Sequence, residues 1–209
     1  MTTPAREAFQ YAIREHLAPR LRTAGFQGSG RSYLRTRNET LNAISIRVGK
    51  YHDRFFVGLG LHFTFLPPNW AKSLRPGARW TEADCEFRWA LTATPGLQGA
   101  WEYGGDRVAA EAQARSVVEA YFRYGEREFD RFATPESVAR AVPLEALEEG
   151  LLTGLPWETT DVRLALALSR IHRHLGDLAL SARFAEVGLG RVGQATALRF
   201  ELEALARQA

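Results

Sequence analysis

The sequence predicts an α+β fold in which an antiparallel sheet of at least four strands carries a packed N-terminal helix and is followed by an all-helical C-terminal region. Three observations predict it. Phe9, Ile13, Leu17 and Leu21 recur every four residues, which puts one apolar stripe on a helix. Phe55, Val57, Leu59, Leu61, Phe63 and Phe65 alternate strictly, as in a strand with one face against a core. Beyond Trp101 the apolar spacing becomes helical and stays so to the end. Strands that follow one another without intervening helices pair antiparallel.

The elements follow in order. Thr3-Pro4 starts the first helix with a hydroxyl before a proline, and Gly25 ends it in a left-handed conformation. Pro19 interrupts that pattern and is expected to kink or restart the helix. Residues 27–31, with two glycines, read as a loop. Ser32 to Thr36 is the first predicted strand and Asn42 to Val48 the second, with Ile44, Ile46 and Val48 on one side. Phe55 to Phe65 is the third, and Phe56, Gly58, Gly60, His62 and Thr64 form its opposite face. Cys85, Phe87, Trp89 and Leu91 mark a fourth. Asp106 caps a helix to about Phe122, with Val108 among its apolar positions. Thr134-Pro135 starts another, stopped by Pro143, and a resumed turn runs to Leu152. Thr160 caps a helix ending near Leu175, a further helix runs to about Leu189, and Ala195 to Ala206 is the last. These readings divide the chain into a sheet domain at 1–133 and a helical region at 134–209, expected to pack on it.

Composition narrows the function classes. The chain has 209 residues, 45% hydrophobic and 24% charged, in the range of a globular domain. No apolar run approaches the roughly 20 residues that span a bilayer, so no membrane partner is expected. The start shows no basic stretch followed by an apolar one, which predicts no signal peptide. Cys85 is the single cysteine, so no internal disulfide forms and a cytoplasmic home is expected. Residues 1–56 carry ten Arg or Lys against four Asp or Glu, and the remainder 17 against 20. A basic first half fits either a solvated strand face or a nucleic-acid contact, and the latter requires Arg31, Arg35, Arg37 and Arg47 to be contiguous.

Catalytic patterns are sparse. Gly188-Leu-Gly190-Arg-Val-Gly193 spells G-x-G-x-x-G but follows a helix, where a dinucleotide site needs a preceding strand, so it reads as a helix-terminating loop. His172 and His174 stand two apart on a helix and face different sides, so they do not chelate one metal. No cofactor and no metal are expected. Cys85 shares the parity of Phe87 and Trp89 and reads as a small core residue. Gly58, Gly60 and His62 share a strand face where missing side chains admit close approach, a candidate ligand groove or the seat of a packed helix. An enzyme reading would use His62 with Glu86 or Glu102.

The connection between the third and fourth strands, Leu66 to Ala83, exceeds what a hairpin needs. It carries Trp70, Lys72, Arg75, Arg79 and Trp80, two large rings and three cations. Trp and Arg dominate protein interfaces because rings desolvate readily and guanidinium forks pair with carboxylates. These five are the candidate partner-binding residues, against the alternative that both tryptophans fold back onto the core.

Two stretches resemble known families. The helix ending in Ala24-Gly-Phe26, the strand after Gly28-Ser-Gly30, Leu41 to Arg47, Phe55 to Leu61, and Asp84 to Leu91 followed by Trp101 resemble an uncharacterised bacterial family, domain of unknown function 4304, over about residues 5–125. That resemblance implies no activity. Leu168, Gly176-Asp177, Ser181 and Gly188 in residues 161–190 look like a tetratricopeptide hairpin, although Ala165 and His172 stand where that repeat carries tryptophan and tyrosine. The preferred expectation is a non-enzymatic protein-binding module of a bacterium, an accessory or toxin-neutralising immunity protein. The rivals are a nucleic-acid binder using the basic N-terminal half, and an unrecognised enzyme.

Overall fold

The first helix passes through Pro19 by widening just before it. In the computed structural model, which describes residues 3–49, 54–68, 80–93, 99–102 and 105–207, α1 (Thr3–Ala12) leads through a π-turn, Ile13–Leu17, into α2 (Ala18–Thr23). The turn closes with the Ala18 N–H on the Ile13 carbonyl, one residue longer than an α-helical bond. The next residue, Pro19, has no N–H to offer, so the break falls where a bond is missing anyway. Phe9, Ile13, Leu17 and Leu21 are all buried, as their spacing predicts. At the C-terminus Gly25 adopts φ 88°. Phe26 N–H then reaches the Leu21 carbonyl at 3.0 Å and Gly25 N–H that of Arg22 at 2.9 Å, which satisfies two end carbonyls.

Two compact units make up the chain: Met1–His62 with Pro68–Asp130, and Phe63–Pro67 with Arg131–Ala209. The first holds an antiparallel sheet of β1 (Gln27–Ser29), β2 (Ser32–Arg37), β3 (Thr40–Val48), β4 (Arg54–Phe63), β5 (Phe87–Ala90) and β6 (Ala100–Glu102). The order is β1-β2-β3-β4-β5, and β6 shares an edge of β4 with β5. β5 opposes Gly58–Leu61, and β6 opposes Arg54–Phe56. Leu59, Leu61, Phe63, Phe87 and Trp89 are buried as the alternation predicts, and Leu59 stands opposite Trp89 and Leu61 opposite Phe87. The strand signals run longer than the strands: Phe65 lies beyond β4, and Cys85 and Leu91 flank β5. β1, read as a loop from its glycines, and β6 are three residues each, too short to show a period.

Asp106 caps α3 (Arg107–Ala120) by accepting the Ala109 N–H at 2.8 Å. Val108 is 78% exposed, against expectation, because the buried face is built from Ala110, Ala114, Val117 and Tyr121. A second π-turn, Tyr121–Gly125, joins α3 to α4 (Glu126–Arg131) and closes with the Glu126 N–H on the Tyr121 carbonyl. Gly125 sits tightly on β4: a Cβ there would lie 2.9 Å from the Tyr121 ring and 3.0 Å from Leu59 Cδ1.

The second unit contains α5 (Pro135–Ala141), α6 (Leu144–Glu149), α7 (Asp161–His174), α8 (Leu178–Arg191) and α9 (Thr196–Ala206). Side chains of Thr134, Thr160 and Asp177 cap three of them at the N-terminus. α7 and α8 form a hairpin across Gly176, held by a Ser169 hydroxyl donating to the Ser181 carbonyl at 2.7 Å. His172 stacks on Phe184 at 5.0 Å, and burial lowers its pKa. His174 instead stacks on Phe65.

The glycine string near the end of α8 is not a loop, as its spacing suggested. Gly188 and Gly190 are helical, and only Gly193, at φ 52°, lies in the following turn. A Cβ at Gly188 would meet Leu202 Cδ2 at 2.7 Å, whereas one at Gly190 would meet nothing within 4 Å. Gly190→Ala should therefore stabilise the chain by about 0.5–1 kcal/mol through helix propensity alone. Gly188→Ala should destabilise it, because the methyl would press on the buried Leu202 methyls and on the Ala165 Cβ at 3.2 Å. Urea denaturation of both variants checks the opposite signs.

Candidate binding site beside Trp80

Two missing side chains on β4 shape this region. Gly58 and Gly60 do not floor an open groove; a short turn of 3₁₀ helix, Glu82–Asp84, lies directly on them. A Cβ on Gly60 would come within 2.8 Å of both the Glu82 Cα and the Cys85 Sγ, and one on Gly58 within 2.7 Å of the Glu82 Cγ. Only glycine permits backbone to approach a strand this closely.

The turn is bonded to itself and to the sheet. Thr81 and Asp84 form a reciprocal cap, with the Asp84 carboxylate accepting both the Thr81 N–H and its hydroxyl at 2.9 Å. The Glu82 N–H donates to the Ser45 hydroxyl at 3.2 Å, and the buried Glu82 carboxylate pairs with Arg47 Nε at 3.1 Å. The motif Thr81-Glu-Ala-Asp84, a hydroxyl followed three positions later by a carboxylate, was the available signal for this turn.

The groups with chemical potential are sealed beneath it. Cys85 is 0% exposed, and burial followed by the charges of Asp84, Glu82 and Glu86 pushes its thiol far above the usual range. A thiol held protonated and out of solvent is no nucleophile. It should resist a disulfide reagent such as dithionitrobenzoate in the folded state and react fully in denaturant; prompt labelling of the native protein would contradict this burial. His62 is 1% exposed, and its Nδ1 accepts the Glu86 backbone N–H at 3.2 Å. Glu102 pairs in register with Arg54 at the opposite end of β4, so His62 and Glu102 are not brought together.

Trp80 lies at the rim. Its ring packs on His62 with centroids 5.1 Å apart, and it remains half-buried. Beside it the β1–β2 hairpin leaves a cleft of about 260 Å³, lined by Gly28, Ser29, Ser32, Tyr33, Leu34 and Trp80 among others. The structure thus joins His62 to Trp80, two residues that the sequence suggested separately. Trp70, Lys72, Arg75 and Arg79 lie outside the described residues.

The arginines of the first half do not form one patch. Arg35 is 2% exposed on the opposite side of β2, where Nη1 meets Glu126 at 2.7 Å and the Ala24 carbonyl at 3.0 Å. Its Nε and Nη2 both donate to the Asn42 side-chain oxygen, and its guanidinium lies over the Phe26 ring at 4.5 Å. Tyr121 also donates to Glu126, and burial together with that bond keeps the phenol protonated. Arg37 pairs with Glu126 and Asp130, and Arg47 with Glu82. The expected solvated strand face is therefore in part a buried charge network, with Arg35 at its centre. Periodicity gave no sign of it, because its carboxylate comes from a helix 91 positions away.

Among the described residues, no group of three or more acidic, histidine or cysteine side chains could hold a metal, and no helix is long and apolar enough to cross a membrane. Residues 17–124 match the model of a family described as a domain of unknown function (DUF4304). No curated protein and no solved structure matches the chain.

Proposed function

The chain belongs to the DUF4304 family, and from that premise we propose that it is a non-enzymatic protein-binding module, an accessory or toxin-neutralising protein of a bacterium, which engages its partner through Trp80 and the adjoining β1–β2 hairpin. One observation carries the reading. The unit's cysteine and its strand histidine are buried beside the Glu82–Asp84 turn, while a large aromatic ring just before that turn stays half-exposed at a cleft. An anchored ring at the rim of a pocket suits a binding hot spot, since little side-chain freedom is lost on association. Trp70, Lys72, Arg75 and Arg79, of the chemistry that interfaces favour, are proposed as further partner contacts on their residue types alone.

The arrangement of arginines weighs against the nucleic-acid reading. Arg35, Arg37 and Arg47 are each held by carboxylates, so they do not present a continuous cationic track.

The test is to recover co-purifying protein from the native host and measure its affinity for the wild type and for Trp80→Ala. The substitution should weaken the complex by more than about 1 kcal/mol. Trp80→Phe should restore much of it. A Trp80→Ala variant that melts earlier yet binds its partner equally well would show that the ring serves the core instead.

A further inference from the structure

We propose that the surface around this cleft receives an acidic, extended segment of a partner protein, with Arg22 and Arg31 pairing to its carboxylates and one of its side chains entering the cleft against Trp80. The inference rests on the protein-binding reading and names the chemistry of the partner.

The first support is a local imbalance of charge. Between Glu15 and Glu39 the chain has no acidic residue but five arginines. Two of these, Arg35 and Arg37, are neutralised by Glu126 and Asp130. Arg22 and Arg31 are exposed, and among the described residues neither has a carboxylate in ion-pair reach. Isolated cations of this kind gain most from a partner that brings the missing charges, because their own protein has none to offer.

The second support is where those cations sit. Arg22 Nη2 lies 3.5 Å from the Gly28 carbonyl, and its charge acts on the Tyr33 hydroxyl; both residues line the cleft. Arg31 occupies the tight turn between Ser29 and Ser32, two further lining residues. The cleft thus has the Arg22 guanidinium beside the Gly28 carbonyl, an exposed arginine in the turn between two of its lining residues, and an indole on its wall.

The third support is size. About 260 Å³ falls below the roughly 300–1,000 Å³ of small-molecule sites but accommodates one amino-acid side chain. A metabolite would be left largely in solvent, whereas a peptide can seat one residue and lay its neighbours across the arginines. A phosphate backbone would need cations continuing along a groove, and the next ones in β2 and β3 are already paired.

The experiment uses the whole chain and a fluorescein-labelled oligoglutamate peptide with one central phenylalanine, followed by anisotropy, with oligothymidylate as competitor. The wild type should bind the peptide in a salt-sensitive manner. Arg22→Glu with Arg31→Glu should weaken binding at least about tenfold, since like charges facing one another are strongly unfavourable. Arg6→Glu with Arg123→Glu, the same change of net charge elsewhere, should leave it nearly unchanged. Arg22→Gln with Arg31→Gln supplies a milder pair should the reversal disturb folding, and should weaken binding too. Absence of peptide binding, equal loss in both reversal variants, or tighter binding of oligothymidylate would overturn the inference. A native partner that responds to Trp80→Ala but not to the Arg22/Arg31 changes would sink this inference alone and leave the protein-binding reading standing.

Discussion

Arg35→Ala should cost about 3–5 kcal/mol of folding stability, the penalty for removing one partner of a buried ion pair. The arginine is enclosed on every side. Its guanidinium satisfies Glu126, Asn42 and the Ala24 carbonyl and lies over the Phe26 ring, so alanine leaves a cavity as well as an unpaired carboxylate. Glu126 keeps some contact with water, which places the expected loss nearer the lower figure. Arg35→Lys should recover only part of it, because an ammonium cannot serve Asn42 and Glu126 with a planar fork. Arg37→Ala is the internal comparison: it also faces Glu126 but is half-exposed, and should cost no more than about 1 kcal/mol. Urea unfolding with an unchanged slope checks the series. A loss below about 1 kcal/mol for Arg35→Ala would show that the network contributes little.

Gly60→Ala should also destabilise, by about 1–3 kcal/mol, although alanine is ordinarily the better residue within a strand. The added methyl would have to displace the backbone of Glu82 and the sulfur of Cys85, neither of which is the free end of a flexible chain. Gly58→Ala presses on the Glu82 side chain instead and should cost less, while loosening the pair with Arg47. Gly105→Ala, where nothing lies within 4 Å, serves as control. Thermal melts rank the three, and a Gly60→Ala protein that melts at or above the wild type would mean the turn is not seated as described.

How far these features could be read in advance depended on whether their cause was local. The β4 alternation and the Phe9 to Leu21 stripe are local patterns of large apolar side chains, and both appear in the structure as predicted, although the other face of β4 is covered as well. Helix starts at Asp106, Thr134 and Thr160 were legible for the same reason, since each cap acts within three residues. β3 was legible as a strand but not as one covered on both faces, because Ser45 meets a turn that arrives from residues 81–85. Of the candidate site, Gly58, Gly60, His62 and Trp80 were each singled out, yet their meeting depends on that same long-range return. The Arg35–Glu126 pair was invisible, as no single window of sequence contains both.

The π-turn at Tyr121–Gly125 has a consequence for changes in chain length. Each residue added to or taken from an α-helix rotates everything beyond it by about 100°. The five-residue turn sets the angular phase of α4 relative to α3, and that phase turns Glu126 toward Arg35 and Phe129 toward Trp89. Deleting one residue here, Arg123 for instance, would give the backbone a more regular helix and the side chains a worse fold. It would swing the carboxylate away from the buried guanidinium and the Phe129 ring away from the sheet. This short stretch should therefore tolerate exchange of its exposed side chains far better than any change in the number of residues.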